Sequence, residues 1–171
     1  MASLRLKDPL RTLGCLMTVR QKPIKLGLVV CRFNELVTRR LAEGALALLK
    51  RRGIKAEQIV EVEVPGAFES PLAAQWLFET HGVDGVIVLG AVIRGSTSHY
   101  DYVCSTCSSG LMSLQMARSA PVGFGILTCD SLEQALDRAG GKTGNKGAET
   151  AETVLEMIET KANLVRLGGS E

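Results

Sequence analysis

The chain has 171 residues, of which 46% are hydrophobic and 22% charged, with a formal net charge of +2. Such a length suits a single domain that buries about 70% of its unfolded surface, and the composition excludes a disordered body. The small net charge excludes nucleic-acid binding driven by electrostatics alone, and no segment approaches the roughly 20 apolar residues of a membrane span.

Charge is unevenly placed. Residues 1–23 carry Arg5, Lys7, Arg11, Arg20 and Lys22 against Asp8, five cations to one anion, which leaves the rest of the chain at −2. We therefore divide the sequence into an N-terminal extension, 1–24, and one domain, 25–171. The apolar stretch Leu13 to Val19 is interrupted by Gly14 and runs into Arg20 and Lys22 without a small-residue cleavage site, a poor secretory signal. An organelle leader would share the extension's basic, nearly acid-free composition. Five cysteines at irregular spacing (Cys15, Cys31, Cys104, Cys107, Cys129) fit reduced thiols better than a disulfide framework, so a cytoplasmic location is expected. Cys104 and Cys107 form a C-x-x-C, but one placed inside a helix with no second pair nearby suits neither a structural zinc nor a redox site.

Past the extension, short apolar runs alternate with amphipathic stretches, the rhythm of β-α units around a parallel sheet. Leu26 to Val30 reads as the first strand, without polar alternation because both faces are covered. Asn34 is placed to cap a helix whose Val37, Leu41, Leu48 and Leu49 share a face opposite Arg39, Arg40 and Lys50, and Gly53 ends it. Ile59 to Val64 gives the second strand. It is broken by Pro65-Gly66, and a helix from about Glu69 to Thr80 carries Leu72, Trp76 and Leu77. Val83 to Leu89 is the third strand, stopping at Gly90 and leading through a hydroxyl-rich turn into a helix that ends near Arg118. Pro121 to Leu127 is the fourth. Asp130 or Ser131, with Glu133 and Gln134 three residues on, offers a capping box for a short helix to Arg138, which Gly140 stops. A last helix, about Ala148 to Val165, lines up Ala151, Val154, Leu155, Ile158, Ala162 and Val165. Four strands with helices on both faces predict an α/β, flavodoxin-like three-layer fold with a central four-stranded parallel sheet.

Ligands in such sheets bind beyond the carboxyl ends of the strands, and the notable clusters fall there. Phe33, one of only seven aromatic residues, follows the first strand, where it either packs on the next helix or offers a face to a flat heterocycle. Gly66-Ala67-Phe68-Glu69 follows the second; Glu69 suits a helix start in any case, and would equally suit a polyhydroxylated ligand. After the third, Ser96, Thr97 and Ser98 precede a helix start, where unpaired N–H groups and a partial positive charge favour an anion. His99 stands beside them as a group able to move protons near neutral pH. His81, just before Gly82 at a helix end, reads as structural or exposed. Gly140 to Gly147 tempts toward a phosphate loop through Gly141-Lys142-Thr143, but Leu136 stands where the first glycine is needed and a helix where a strand is needed. With Arg138, Lys142 and Lys146 it remains a glycine-rich cationic loop.

Together R-F-N at 32–34, V-P-G-A-F-E at 64–69, G-A-V-I-R-G-S-T-S-H-Y-D-Y at 90–102, G-F-G-I-L-T at 123–128 and R-A-G-G-K-T-G-N-K-G at 138–147 resemble the lumazine synthase family, in order, from about Lys25 to Val165. The resemblance implies a condensation of 5-amino-6-(D-ribitylamino)uracil with 3,4-dihydroxy-2-butanone 4-phosphate that releases phosphate and water, with no metal or organic cofactor. It assigns Phe33 to stacking on the pyrimidine, Ala67, Phe68 and Glu69 to the ribityl chain, and the backbone of Ala91, Val92 and Ile93 to the uracil edge. Ser96, Thr97 and Arg138 fall to the phosphate, and His99 to proton transfer. The family's site lies between subunits, so Phe124, Arg138 and Lys146 are implied to come from a neighbouring copy. That implies homopentameric rings, and in many relatives twelve rings build a sixty-subunit shell. No nucleic acid or membrane partner is implied. Two departures stand out. The extension is longer than usual, in a region that in the family adds a strand to the adjacent subunit's sheet, a part Leu13 to Val19 could play. Ser70 replaces a larger aliphatic residue. A flavin-binding electron carrier shares the architecture but wants a hydroxyl-rich loop after the first strand, where Arg32-Phe33-Asn34 stands; a catalytically silent shell protein is the other rival.

Overall fold

The structure, a computed structural model, describes residues 23–168. Its elements run β1 (Leu26–Cys31), α1 (Glu35–Arg51), a single 3-10 turn (Ala56–Gln58), β2 (Ile59–Val64), α2 (Ser70–His81), β3 (Gly85–Ile93), α3 (His99–Arg118), β4 (Val122–Cys129), α4 (Leu132–Arg138), a small hairpin β5 (Ala139–Gly141) and β6 (Gly144–Asn145), and α5 (Lys146–Gly168). The four long strands form one parallel sheet in the order β2-β1-β3-β4, and helices cover both faces, giving the expected flavodoxin-like three-layer architecture. The proposed N-terminal strand at Leu13 to Val19, and Cys15, lie outside the described residues.

Alternation along the buried strands divides the core in two. Leu28 and Val30 of β1, with Ile87 and Leu89 of β3, face a layer built from Val37, Leu41 and Leu49 of α1 and Val154, Leu155 and Ile158 of α5. Val29 and Cys31, with Val86 and Val88, face Ala73, Ala74 and Leu77 of α2 and Cys107, Leu111 and Leu114 of α3. Each fully buried aliphatic side chain contributes about 1.5–3 kcal/mol relative to exposure. Helices α1 and α5 cross closely at Gly147, where a Cβ would collide with the Leu41 carbonyl. Asn145 secures that crossing: its Nδ2 donates to the Arg40 carbonyl (2.8 Å), and its Oδ1 accepts the Ala148 N–H (3.1 Å), capping α5.

Several expectations need correction. β3 does not stop at Gly90 but runs on to Ile93. Gly90 is there for room, since a Cβ would come within 2.7 Å of Ile126 Cδ1 and 2.9 Å of Cys31 Sγ. On α2, Leu72 and Trp76 are exposed, and the small Ala73 and Ala74 with Leu77 make the core face, because α2 lies close against the sheet. On α5, Ala162 and Val165 are exposed, for the helix runs beyond the last residue of its buried stripe, Ile158. Ser131 rather than Asp130 is the N-cap of α4, accepting the Gln134 N–H (3.2 Å), while the Gln134 side chain reaches back to the Asp130 N–H (3.1 Å). Asn34 stands at the N-cap of α1 without a side-chain capping bond.

Candidate active site

Hydrogen bonds knit the loops at the carboxyl ends of the strands into one rim. The Arg32 N–H donates to the Val64 carbonyl (2.9 Å) and the Phe33 N–H to the Pro65 carbonyl (3.1 Å), joining the turn after β1 to the loop after β2. Asn34, in the left-handed region at φ 61°, donates from Nδ2 to the Ala91 carbonyl (2.8 Å), joining the same turn to β3. The Arg94 N–H donates to the Cys129 carbonyl (2.9 Å), joining β3 to β4.

Phe33 projects from this rim 73% exposed and Phe68 58% exposed, positions in which neither contributes much to the core. Ala67 is buried; Glu69 is exposed beside the start of α2. Between these loops β3 overhangs its neighbour: the ladder with β1 ends at the Val30 and Leu89 pair, whereas the ladder with β4 continues to Ile93 and Cys129. Ala91, Val92 and Ile93 thus present one backbone edge without a strand partner among the described residues, with the Ala91 carbonyl taken by Asn34. Beyond them Ser96, Thr97, Ser98 and His99 are all exposed. His99 is the first residue of α3, and its N–H reaches Thr97 Oγ1 at 3.4 Å.

Sequence reading assigned Arg94 no role. Its guanidinium donates to Asp130 (3.1 Å) and Asp101 (3.2 Å) and lies 4.0 Å over the Tyr100 ring, a clamp across the ends of β3, β4 and the first turn of α3. The only signal in the sequence was a cation just past one strand, followed by an acid in the next helix's first turn and another just past the following strand. Behind the rim, the Ser70 hydroxyl donates to the Ala67 carbonyl (2.7 Å) and lies 3.5 Å from Cys107 Sγ. Burial pushes the Cys31 thiol up to about 12, with the nearby Cys107 and Glu69 adding to the effect, so it is an inert core group.

Phe124, Arg138 and Lys146 do not join this cluster. They line a separate cleft of about 520 Å³ along the outer edge of β4, shared with Thr128, Glu149 and Thr150. Arg138 Nη1 donates to the Gln134 carbonyl (2.9 Å), and Lys146 Nζ pairs with Glu149 (2.5 Å) one turn along α5. Glu149 was missed, although the i, i+3 spacing from Lys146 makes the pair legible. One protomer therefore carries two partial surfaces: a rim with an aromatic face, a free strand edge and a hydroxyl-rich turn, and an edge cleft with an aromatic ring and two cations. Among the described residues there is no cluster of three or more metal-ligating side chains, and Cys104 and Cys107 are free thiols within α3. No helix of these residues is long and apolar enough to cross a membrane.

A family model described as 6,7-dimethyl-8-ribityllumazine synthase matches residues 23–162. A curated relative, 6,7-dimethyl-8-ribityllumazine synthase of Desulfovibrio desulfuricans, is 48% identical over 143 residues, which cover 84% of this chain and 92% of the relative. With its sheet, its rim and its motifs in matching order, the chain belongs to the 6,7-dimethyl-8-ribityllumazine synthase family.

Proposed function

We propose that the working site forms where the rim of one copy meets the β4-edge cleft of the next, and that it condenses 5-amino-6-(D-ribitylamino)uracil with 3,4-dihydroxy-2-butanone 4-phosphate. Family membership makes the protein a condensing transferase of riboflavin biosynthesis; the residue roles are our reading. The observation that carries them is the overhang of β3. Its free edge at Ala91 to Ile93 lies between an exposed phenylalanine and a turn of hydroxyl residues. A flat pyrimidine hydrogen-bonds to such an edge while Phe33 stacks on its face. Its ribityl chain then runs toward Ala67, Phe68 and Glu69, where a carboxylate accepts from hydroxyl groups.

The ketone phosphate sits at Ser96 and Thr97, with Arg138 of the adjoining copy as cationic partner and Phe124 and Lys146 closing that side. His99, beside the phosphate turn, moves protons as the pyrimidine amine adds to the ketone carbonyl and water leaves, as phosphate departs, and as the second ring closes with loss of a second water. Holding both reactants across one interface supplies the proximity.

Two partial surfaces on one chain favour a ring of identical copies, which we assign as a homopentamer. The compact Gly140 to Gly147 loop resembles that of shell-forming family members, which supports the larger sixty-subunit shell. Residues 25–171 then act as one domain, and residues 1–24 as an extension whose Leu13 to Val19 adds a strand to a neighbouring subunit's sheet. A cytoplasmic location suits the free thiols. Mixing the purified protein with both substrates and following lumazine absorbance together with phosphate release tests the reading. Accelerated formation of both products is expected; a silent shell protein or a flavin carrier would accelerate neither. Light scattering reports the assembly, and a monomer that is fully active would overturn the shared site.

A further inference from the structure

We infer that Ser70 and Cys107 form a positioning pair that sets the loop 65–69 against the helix carrying His99. Both residues are 0% exposed. The Ser70 hydroxyl has one proton, and the 2.7 Å contact to the Ala67 carbonyl, an acceptor only, commits it there. At the 3.5 Å contact the Cys107 S–H is therefore the donor and Ser70 Oγ the acceptor. Burial raises the Cys107 thiol, which keeps that donor protonated. The result is a directed chain, Cys107 to Ser70 to Ala67, from the interior of α3 to the carbonyl of a rim residue.

The chain is supported on either side. The Ser70 N–H also reaches the Ala67 carbonyl (3.3 Å), closing a tight turn over 67–70 that leaves Phe68 and Glu69 at its outer bend. One turn further along α3, Gly110 lies against Pro71, where a Cβ would come within 3.1 Å of the proline ring. Successive residues at the start of α2 thus meet residues three apart on α3. An aliphatic side chain at position 70 could fill this space but could not hold the Ala67 carbonyl. The pair fixes where Phe68 and Glu69 stand relative to Ser96, Thr97 and His99.

This inference rests on the reading that the loop meets the ribityl chain, and the experiment separates the two. Steady-state kinetics would be measured for the wild type, Ser70→Ala, Cys107→Ala and Cys107→Ser, with the natural pyrimidine and with an analogue whose side chain lacks the hydroxyls. For Ser70→Ala we expect the KM for the natural pyrimidine to rise about three- to tenfold, the worth of one neutral hydrogen bond, with the KM for the ketone phosphate and kcat within about twofold. Cys107→Ala should move the same constant less, and Cys107→Ser, which keeps a donor, should restore it. The variants should not differ from the wild type on the hydroxyl-free analogue. A lowered melting temperature in Ser70→Ala with no selective change in KM, or Cys107→Ser no better than Cys107→Ala, would overturn the positioning role. Should Ser70→Ala not fold, the two Cys107 variants decide the question alone. Equal KM values of the wild type for the two pyrimidines would instead overturn the assignment of the loop to the ribityl chain.

Discussion

Asn34 holds the Ala91 carbonyl at 2.8 Å from a left-handed backbone conformation, φ 61° and ψ 46°. Asparagine is among the few side-chain-bearing residues that tolerate this region, and here its amide also ties the turn carrying Phe33 to the overhanging strand. Conformation and hydrogen bond can be separated by substitution.

Asn34→Gly keeps the backbone freedom and loses the bond; Asn34→Ala loses both. We expect both variants to weaken pyrimidine use by a similar factor. Asn34→Ala should be further destabilised by about 1–2 kcal/mol, the cost of left-handed backbone for an ordinary residue. Urea unfolding beside steady-state kinetics checks this. Equal stabilities of the two variants would remove the conformational part of the account.

Gly147 marks the crossing of α1 and α5, where any Cβ meets the Leu41 carbonyl, a backbone atom that cannot rotate away. Gly147→Ala should destabilise the fold by about 1–3 kcal/mol or more, as overpacking does. Gly168→Ala is the control: nothing lies within 4 Å of its added Cβ, and its effect should stay within about 0.5 kcal/mol. Thermal melts of the two variants, compared at equal concentration, would count against the crossing if they coincided.

The four strands and five helices were legible because hydrophobic periodicity is local: β1 is a run of buried residues and α1 a clean stripe. What sequence could not show is set by contacts distant along the chain. Gly90 looks like a strand end until Cys31 and Ile126 are seen against it. Trp76 looks like core until Ala73 and Ala74 prove to be the residues that let α2 approach the sheet. Asn34 looks like a cap because asparagine caps helices, yet its partner is 57 residues away. Within the candidate site, the residue types were readable from their motifs. The division into a rim and an edge cleft came only from the family resemblance, which puts Phe124, Arg138 and Lys146 on a neighbouring copy; the residues alone do not show it, because it depends on which strands end the sheet. Arg94 escaped notice for the same reason: its partners Asp101, in α3, and Asp130, in the turn after β4, lie far apart along the chain.

Alkaline conditions should loosen the core through its thiols. Burial raises Cys31 from its ordinary 9.0 to about 12, so the folded chain holds that proton more tightly than the unfolded one. Below pH 9 both states are protonated and the contribution is fully present. Between pH 9 and about 12 only the unfolded state ionises, and stability falls by at most about 1.4 kcal/mol per pH unit for this group. Cys107, Cys104 and Cys129 are raised in the same direction by burial and add to the trend. Cys31→Ala should make the urea midpoint less steep in pH over that window, whatever its absolute stability. A slope identical to that of the wild type would remove Cys31 as a contributor.

Arg138 and His99 should fail in different ways. Arg138 lies in the edge cleft, where its hydrogen bond goes to the Gln134 carbonyl rather than to a carboxylate, whereas Arg94 on the rim is committed to Asp101 and Asp130. The uncommitted guanidinium is the one suited to a phosphate. Arg138→Ala should therefore raise the KM for the ketone phosphate far more than that for the pyrimidine, and equal losses in steady-state kinetics would count against the assignment. On the proposed mechanism His99→Ala removes proton transfer but leaves the binding surfaces, so kcat should fall by about 10²–10⁴-fold without vanishing, since positioning supplies the remainder. If Arg138 and His99 act across one interface, mixing the two impaired variants should raise activity above that of either alone. Wherever the cleft of a His99→Ala copy faces the rim of an Arg138→Ala copy, both wild-type residues meet, and a mixture of subunits unfolded and reassembled together that gained nothing over the two variants alone would show that the site lies within a single chain.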